Sequence, residues 1–256
     1  MHSKHRYSFM HTFIDSLTMQ QTIEQIKHCI EQRIPMQHVV INASKLILMK
    51  DNRELTKIVN NCSIINADGQ AIVWAGKLLG IPIPERVAGV DLMYHLLQMA
   101  ERKQYRVYIL GARENVLELA VSAMVKRFPK LQIAGYHHGY FHRDQEQEIV
   151  KRISASEADI LFVGMSSPLK EYWLNKHLFD LQTPFNMGVG GSLDIWAGYT
   201  NRAPVWMQKA GMEWLYRLCQ EPQRMWKRYL IGNTKFIQLV LRHYFNPVEA
   251  VNHDIN

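Results

Sequence analysis

Six short apolar runs constrain this chain more than any other feature: HVVIN at 38–42, CSIIN at 62–66, RVYIL at 106–110, LQIAG at 131–135, DILFVG at 159–164 and PFNMG at 184–188. The last four begin about 25 residues apart, which leaves room for one helix between successive strands. Helix-like segments at 114–128, 144–156 and 168–181 fill those gaps. Most of the runs lack alternation between apolar and polar residues, as strands covered by helices on both faces do. The expected fold class is α/β, a doubly wound, mainly parallel, Rossmann-like sheet. Ligands of such sheets bind beyond the carboxyl ends of the strands, so the loops there carry the chemistry.

Near Thr200 the pattern changes. Arg202-Ala203-Pro204 breaks the chain, and three Trp-containing helical stretches follow, the second and third separated by Pro222. The chain therefore reads as an α/β body at 1–200 with a helical C-terminal appendage at 201–256. In the appendage Phe236, Ile237, Val240, Leu241, Tyr244 and Phe245 form a stripe at the helical period, and a polar tail begins at Pro247. That stripe has two readings: it packs on the body, or it faces lipid or another subunit with Lys and Arg at headgroup level. Four of the six tryptophans lie between Trp196 and Trp226, which favours an interfacial role.

Charge follows the same division. The net charge is +7, and 202–245 holds eight Lys or Arg against Glu213 and Glu221. The positive field thus belongs to the C-terminal end and points to an anionic partner: nucleic acid, anionic lipid or a phosphorylated substrate. Cys29, Cys62 and Cys219 are scattered and odd in number, which argues against a disulfide framework or a zinc site and fits a reducing cytoplasm. The first residues carry charges without an apolar run, so no secretory signal is expected. No window approaches the roughly 18 apolar residues of a spanning helix, so the chain is not expected to cross a membrane.

Three kinds of strand-end loop carry candidate chemistry. Asp68, in Asn66-Ala67-Asp68-Gly69-Gln70, reads either as an Asp-Gly turn or helix cap, or as a general base at a strand's carboxyl end. Arg86, in Glu85-Arg86-Val87-Ala88-Gly89-Val90-Asp91, suits a phosphate beside a helix N-terminus, or else forms a surface ion pair with Glu85 and Asp91. The third kind is glycine-bearing: Gly111-Ala112, Gly164-Met165 and Gly188-Val189-Gly190-Gly191 could each offer backbone N–H groups to a nucleotide's diphosphate. The last is not the dinucleotide fingerprint, because Leu193 stands where the third glycine belongs. The histidines at 137, 138 and 142 lack companions at a familiar metal spacing and read as an exposed loop. No G-x-S-x-G elbow supports a Ser-His-Asp hydrolase.

Taken together, these residues resemble the WecG/TagA/CpsF family of bacterial glycosyltransferases. The matching series runs from Asn42 through Ala67-Asp68-Gly69, Glu85-Arg86-Val87-Ala88-Gly89-Val90-Asp91, Gly139-Tyr140-Phe141 and Gly188-Val189-Gly190-Gly191-Ser192-Leu193-Asp194. It continues with Ala197-Gly198, Arg202-Ala203-Pro204, Glu213-Trp214-Leu215-Tyr216-Arg217 and Glu221-Pro222-Gln223-Arg224. The order of the series makes it specific, although no single member is. The resemblance implies an inverting transfer from a UDP-sugar, N-acetylmannosamine in the best-known members, to a polyprenyl-diphosphate-linked N-acetylglucosamine in cell-surface polysaccharide synthesis. It implies no metal and no cofactor, no nucleic acid, and a peripheral place on the cytoplasmic face of the bacterial membrane, reached through the C-terminal arm. A homo-oligomer is compatible with it. Asp68 would then be the base and Arg86 the motif arginine. Asn42, Lys170 and Glu171 would lie at the substrate, with Arg217, Arg224 and Arg228 (or Lys227 beside them) closing over it.

Two departures bear on the donor. Lys170 stands where relatives carry a glutamine, and Val40 where many carry a threonine, so another donor such as UDP-glucose or a uronic acid form is an alternative. A non-enzymatic nucleotide- or RNA-binding protein is the competing reading, since the arm combines basic and aromatic residues.

Overall fold

The computed structural model describes residues 5–246 and, of Arg224, Lys227 and Arg228, the backbone only. The tail from Pro247 lies outside the described residues. The chain opens with an antiparallel hairpin, β1 (Arg6–Phe9) and β2 (Thr12–Asp15), followed by α1 (Met19–Glu31). Then come β3 (Met36–Ile41), α2 (Ala43–Lys50), α3 (Arg53–Asn60), β4 (Ile64–Ala67), α4 (Gln70–Leu78) and α5 (Gly89–Lys103). The second half alternates β5 (Arg106–Gly111), α6 (Glu114–Arg127), β6 (Gln132–His137), α7 (Glu146–Ala155), β7 (Ile160–Gly164), α8 (Leu169–His177), β8 (Phe185–Gly188) and α9 (Ser192–Trp196). The appendage comprises α10 (Val205–Lys209), α11 (Glu213–Gln220) and α12 (Pro222–Trp226), which runs through a π-helical turn (Lys227–Ile231) into α13 (Gly232–Phe245).

All six apolar runs are strands of one parallel sheet in the order β4-β3-β8-β7-β5-β6. Period-2 burial shows why they lacked alternation. In β5, Val107 and Ile109 enter the core beneath α1, α5 and α6, while Tyr108 and Leu110 enter the core beneath α7 and α8. In β7, Ile160 and Phe162 face the first of these, Leu161 and Val163 the second. Both faces are dry, so both need apolar side chains. Helix starts are set locally: Thr18 and Gln21 close a capping box on α1, and Asn52 caps α3 through Leu55 N at 2.9 Å.

The sequence reading missed the hairpin. It lies against the edge strand β4, where Asp15 accepts from Ile65 N at 2.7 Å and Arg6 donates to the carbonyls of Cys62 and Ser63 at 3.0 and 3.1 Å. Arg6 and Asp15 pair with each other at 2.8 Å, both side chains buried.

The apolar stripe of the appendage divides. Phe236 and Val240 are buried against the core formed by α2, α3 and β3, with Leu239 buried beside them. Ile237, Leu241, Tyr244 and Phe245 remain exposed, as do Trp206 and Leu230. One edge of α13 therefore packs on the body and the other does not.

Candidate active site

Four adjacent strands, β4, β3, β8 and β7, bring most of the expected residues to one rim. Neighbouring strand ends in a sheet lie about 5 Å apart, so loops after these four share one crevice. Asp68 follows β4 and is fixed by its own backbone, Asp68 N donating to Ile41 O at 2.7 Å. Gly69 follows at φ +103°, a left-handed conformation that glycine accepts without strain. It is Gly69 that begins α4, and no side chain caps that helix. The carboxylate of Asp68 is thus not a helix cap. Among the described residues it makes no hydrogen bond, and burial pushes its pKa up to about 6. Arg86 and Lys45 oppose that shift, while Glu213 and Asp91 add to it. A half-buried, unengaged carboxylate titrating near neutrality is suited to accept a proton.

Arg86 is held beside it, since Val87 N donates to Ala67 O at 2.9 Å. Its guanidinium donates to Glu213 of α11 at 2.8 Å and lies 3.7 Å from Asp91. Arg202 completes the group: it pairs with Asp91 and donates to Gln208 at 2.9 Å, with Glu213 at 3.5 Å. Glu85 belongs elsewhere, accepting from Met19 N. Of the expected ion pair of Glu85, Arg86 and Asp91 the Arg86–Asp91 contact is present, as part of a clasp that also takes in Arg202 and Glu213.

At the end of β3, Asn42 caps α2 by accepting from Lys45 N at 3.0 Å. Lys45 itself points inward and meets Glu171 at 2.5 Å, both side chains buried. Glu171 also accepts from Ser167 at 3.0 Å and lies 3.3 Å from Lys170, which donates to Ser167 at 2.6 Å. Burial works against the ionised form of Glu171, but the two lysines outweigh it and bring the pKa down to about 2. Two ammonium groups share this one carboxylate. Lys170 runs beneath the glycine loop: a Cβ on Gly188 would sit 2.6 Å from Lys170 Cδ. Lys45 was not among the expected site residues. Its only signal was a lone lysine in an otherwise mostly apolar helix turn after a capping Asn.

The glycines separate into two groups. A Cβ on Gly111 would fall 2.5 Å from Gly164 Cα, and one on Gly164 would fall 2.3 Å from Leu193 Cδ1. Ala112, at φ +57°, gives its N–H to Gly164 O at 3.1 Å. Close packing at β5 and β7 thus accounts for Gly111 and Gly164 as glycine, and the Ala112 amide is already used. Gly190 and Gly191 differ. Arg217 reaches Gly191 from α11, its Nη2 3.0 Å from where a Gly191 Cβ would stand, and Lys170 Nζ lies 3.8 Å from the same point on Gly190. The Nε of Arg217 is buried and has no hydrogen-bond partner among the described residues. A buried N–H of this kind is costly unless something else accepts from it. The side chains of Arg224 and Arg228 lie outside the described residues. No group of three His, Cys, Asp or Glu placed to hold a metal occurs among the described residues.

A half-buried carboxylate, basic groups from three segments and a glycine loop at one sheet rim match what a transferase acting on a diphosphate-activated donor needs. Comparison with known proteins agrees. The glycosyl transferase WecG/TagA/CpsF family description matches residues 7–249. An N-acetylglucosaminyldiphosphoundecaprenol N-acetyl-beta-D-mannosaminyltransferase of Staphylococcus aureus strain MW2 is 34% identical over 229 residues, covering 89% of this chain and 87% of its own length. The proteins of the same description from strains NCTC 8325 / PS 47 and MRSA252 are likewise 34% identical over the same shares of both chains. The chain belongs to the WecG/TagA/CpsF family of glycosyl transferases.

Proposed function

We propose that this glycosyl transferase moves N-acetylmannosamine from its UDP-linked form to a polyprenyl-diphosphate-linked N-acetylglucosamine, with inversion at the transferred carbon. The observation that carries the reading is Asp68, a carboxylate on the rim after β4 that makes no hydrogen bond among the described residues. In this mechanism Asp68 takes the proton of the acceptor hydroxyl as its oxygen bonds to the sugar's anomeric carbon. The bond from that carbon to the UDP oxygen breaks on the opposite face, and UDP leaves with the electron pair. Arg217 and Arg86 meet the charge that develops on the diphosphate, assisted by Arg224 and Arg228. The glycine loop at Gly190 and Gly191 lets the nucleotide approach the backbone closely. Asn42 and Glu171 set the ends of the loops at the substrate, and residues 1–200 form the catalytic body with 201–256 as its arm.

The test is a panel of UDP-sugars presented with a polyprenyl-diphosphate-N-acetylglucosamine acceptor, following UDP release. Turnover with UDP-N-acetylmannosamine is expected. No release with any donor would defeat the reading. A uronic acid donor belongs in the panel, because the Lys170 side chain runs beneath the glycine loop. The RNA-binding reading loses its ground with family membership, and the aromatics of the arm have another use.

Among the described residues no helix is long and apolar enough to cross a membrane. The exposed edge of α13, with Trp206 and Leu230, suits a peripheral contact with the bilayer surface. In this reading the protein works on the cytoplasmic face, where the arm meets the lipid-linked acceptor. Removing the whole arm would be a poor test, since Phe236, Leu239 and Val240 complete the body's core. The combined change Ile237→Ser, Leu241→Ser and Phe245→Ser leaves that core intact. It is expected to cut co-sedimentation with anionic liposomes at least tenfold while the circular dichroism spectrum is kept. Undiminished liposome binding would refute the membrane contact.

A further inference from the structure

Beside the sheet rim a groove of about 300 Å³ runs between α2 and α13. Its walls are Ile47 and Leu48 on one side and Ile231 on the other. Ser44 lies at one end, two residues from Asn42, and Asn42 follows the Ile41 carbonyl that holds Asp68 N. The helix that forms one wall of the groove therefore starts at the rim that carries Asp68. Asp51 and the exposed Lys235 lie at its border, and Lys235 makes no ion pair among the described residues.

Gly232 is the telling residue. It sits at the start of α13 with φ −65° and ψ −44°, an ordinary helical conformation that any residue adopts. Packing does not require glycine either, because the nearest atom to an added Cβ is Ser44 Oγ at 4.0 Å. Glycine disfavours a helix interior relative to almost every other residue, so here it gives up helix stability with no conformational return. What its missing side chain does preserve is the groove. The π-helical turn Lys227–Ile231 immediately before it is a second departure from regular helix at the same wall, and such turns concentrate at functional sites.

We infer that the groove between α2 and α13 holds the first isoprene units of the acceptor's polyprenyl chain. This rests on the proposed acceptor class. Ile47, Leu48 and Ile231 give it apolar walls, and α2, which supplies two of them, begins at the rim where the acceptor's sugar must reach Asp68. The volume is at the lower end of small-ligand sites, which span roughly 300–1,000 Å³, so it takes the start of the chain and leaves the remainder to the bilayer.

The test uses the full chain and farnesyl diphosphate carrying a terminal benzophenone, irradiated and mapped by mass spectrometry. Adducts are expected within α2 and at 231–235. Gly232→Leu, which fills the groove without displacing backbone, should reduce their yield at least tenfold with no fall in the melting temperature. Should that variant not fold, Leu48→Glu, at a partly exposed helix position, serves the same purpose and should give the same loss. Adducts confined to other segments overturn the inference, as does an undiminished yield in the folded variant. Equal labelling of the groove by benzophenone-tagged palmitate also overturns it, in favour of a membrane acyl chain. Because the readout needs no sugar transfer, failure of the donor panel and failure of the groove are separate results.

Discussion

Asp68→Asn is expected to lower kcat for transfer by about a thousandfold, in the middle of the 10²–10⁴ range that a general base supplies, while the protein melts at the same or a higher temperature. The second half of that result follows from the pKa. Asp68 titrates near 6 in the folded chain against 3.8 for an ordinary Asp, chiefly because burial penalises its charge. The folded state therefore holds the proton more tightly than the unfolded state. Stability contributed by this group is present below pH 3.8 and is lost as the pH rises through 6. At neutral pH the charge costs about 1–3 kcal/mol, the lower part of the range reflecting its partial access to solvent. Asparagine removes the cost along with the base, which in a chain of this size is worth a few degrees of Tm. In the unaltered enzyme kcat/KM should rise with pH up to about 6 and then level, at least until a second group titrates. UDP release measured between pH 4.5 and 8, together with scanning calorimetry, checks both. Full activity in a folded Asp68→Asn protein would remove Asp68 from the role of base.

Glu171→Ala should have the largest effect on stability. The substitution leaves Lys45 and Lys170 buried without their shared carboxylate, and removing one partner of a buried pair costs about 3–5 kcal/mol. The melting temperature is expected to fall by on the order of 10 °C. Glu171→Gln keeps an oxygen for Ser167 or Lys45 and should lose about half as much. The pH dependence has the opposite sense to that of Asp68. Glu171 titrates near 2 in the folded state against an ordinary value of 4.5, so its stabilisation is complete above pH 4.5 and fades as the pH falls towards 2. Denaturant midpoints of the original protein and of Glu171→Ala should therefore converge in acid. A constant difference down to pH 2.5 would show that the loss comes from packing rather than charge.

Much of the fold was legible because burial on both faces forces a run of apolar residues, and the crossover geometry forces the interval between runs. Val107 to Leu110 and Ile160 to Val163 announce themselves in that way. The hairpin did not, because its purpose is tertiary. Arg6 and Asp15 are buried only because they pair with each other against the open edge of β4. The same holds for the site. Asp68 and Arg86 stand out in the sequence as candidates by their places after a strand and before a helix. Lys45 does not, because a lysine in a helix is ordinarily solvated. It is buried here only through Glu171, 126 residues further along. The clasp of Arg86, Asp91, Arg202 and Glu213 was visible as motif fragments, but their pairing depends on how α11 returns to the body. The apolar stripe of α13 could not be assigned whole, since helical periodicity does not say that Phe236 faces the core while Ile237 faces outward.

The N-terminal hairpin also bears on the exposed edge of the sheet. The strand that presents Asp68 is an edge strand, and an open edge offers a row of unmet amides and carbonyls to any other extended segment. Arg6 and Asp15 occupy several of those groups with side chains rather than with a further strand. They satisfy the edge without extending the sheet. Loss of the first fifteen residues would leave β4 able to recruit a neighbour's strand, and the resulting aggregate would form at the very segment that sets the position of Asp68.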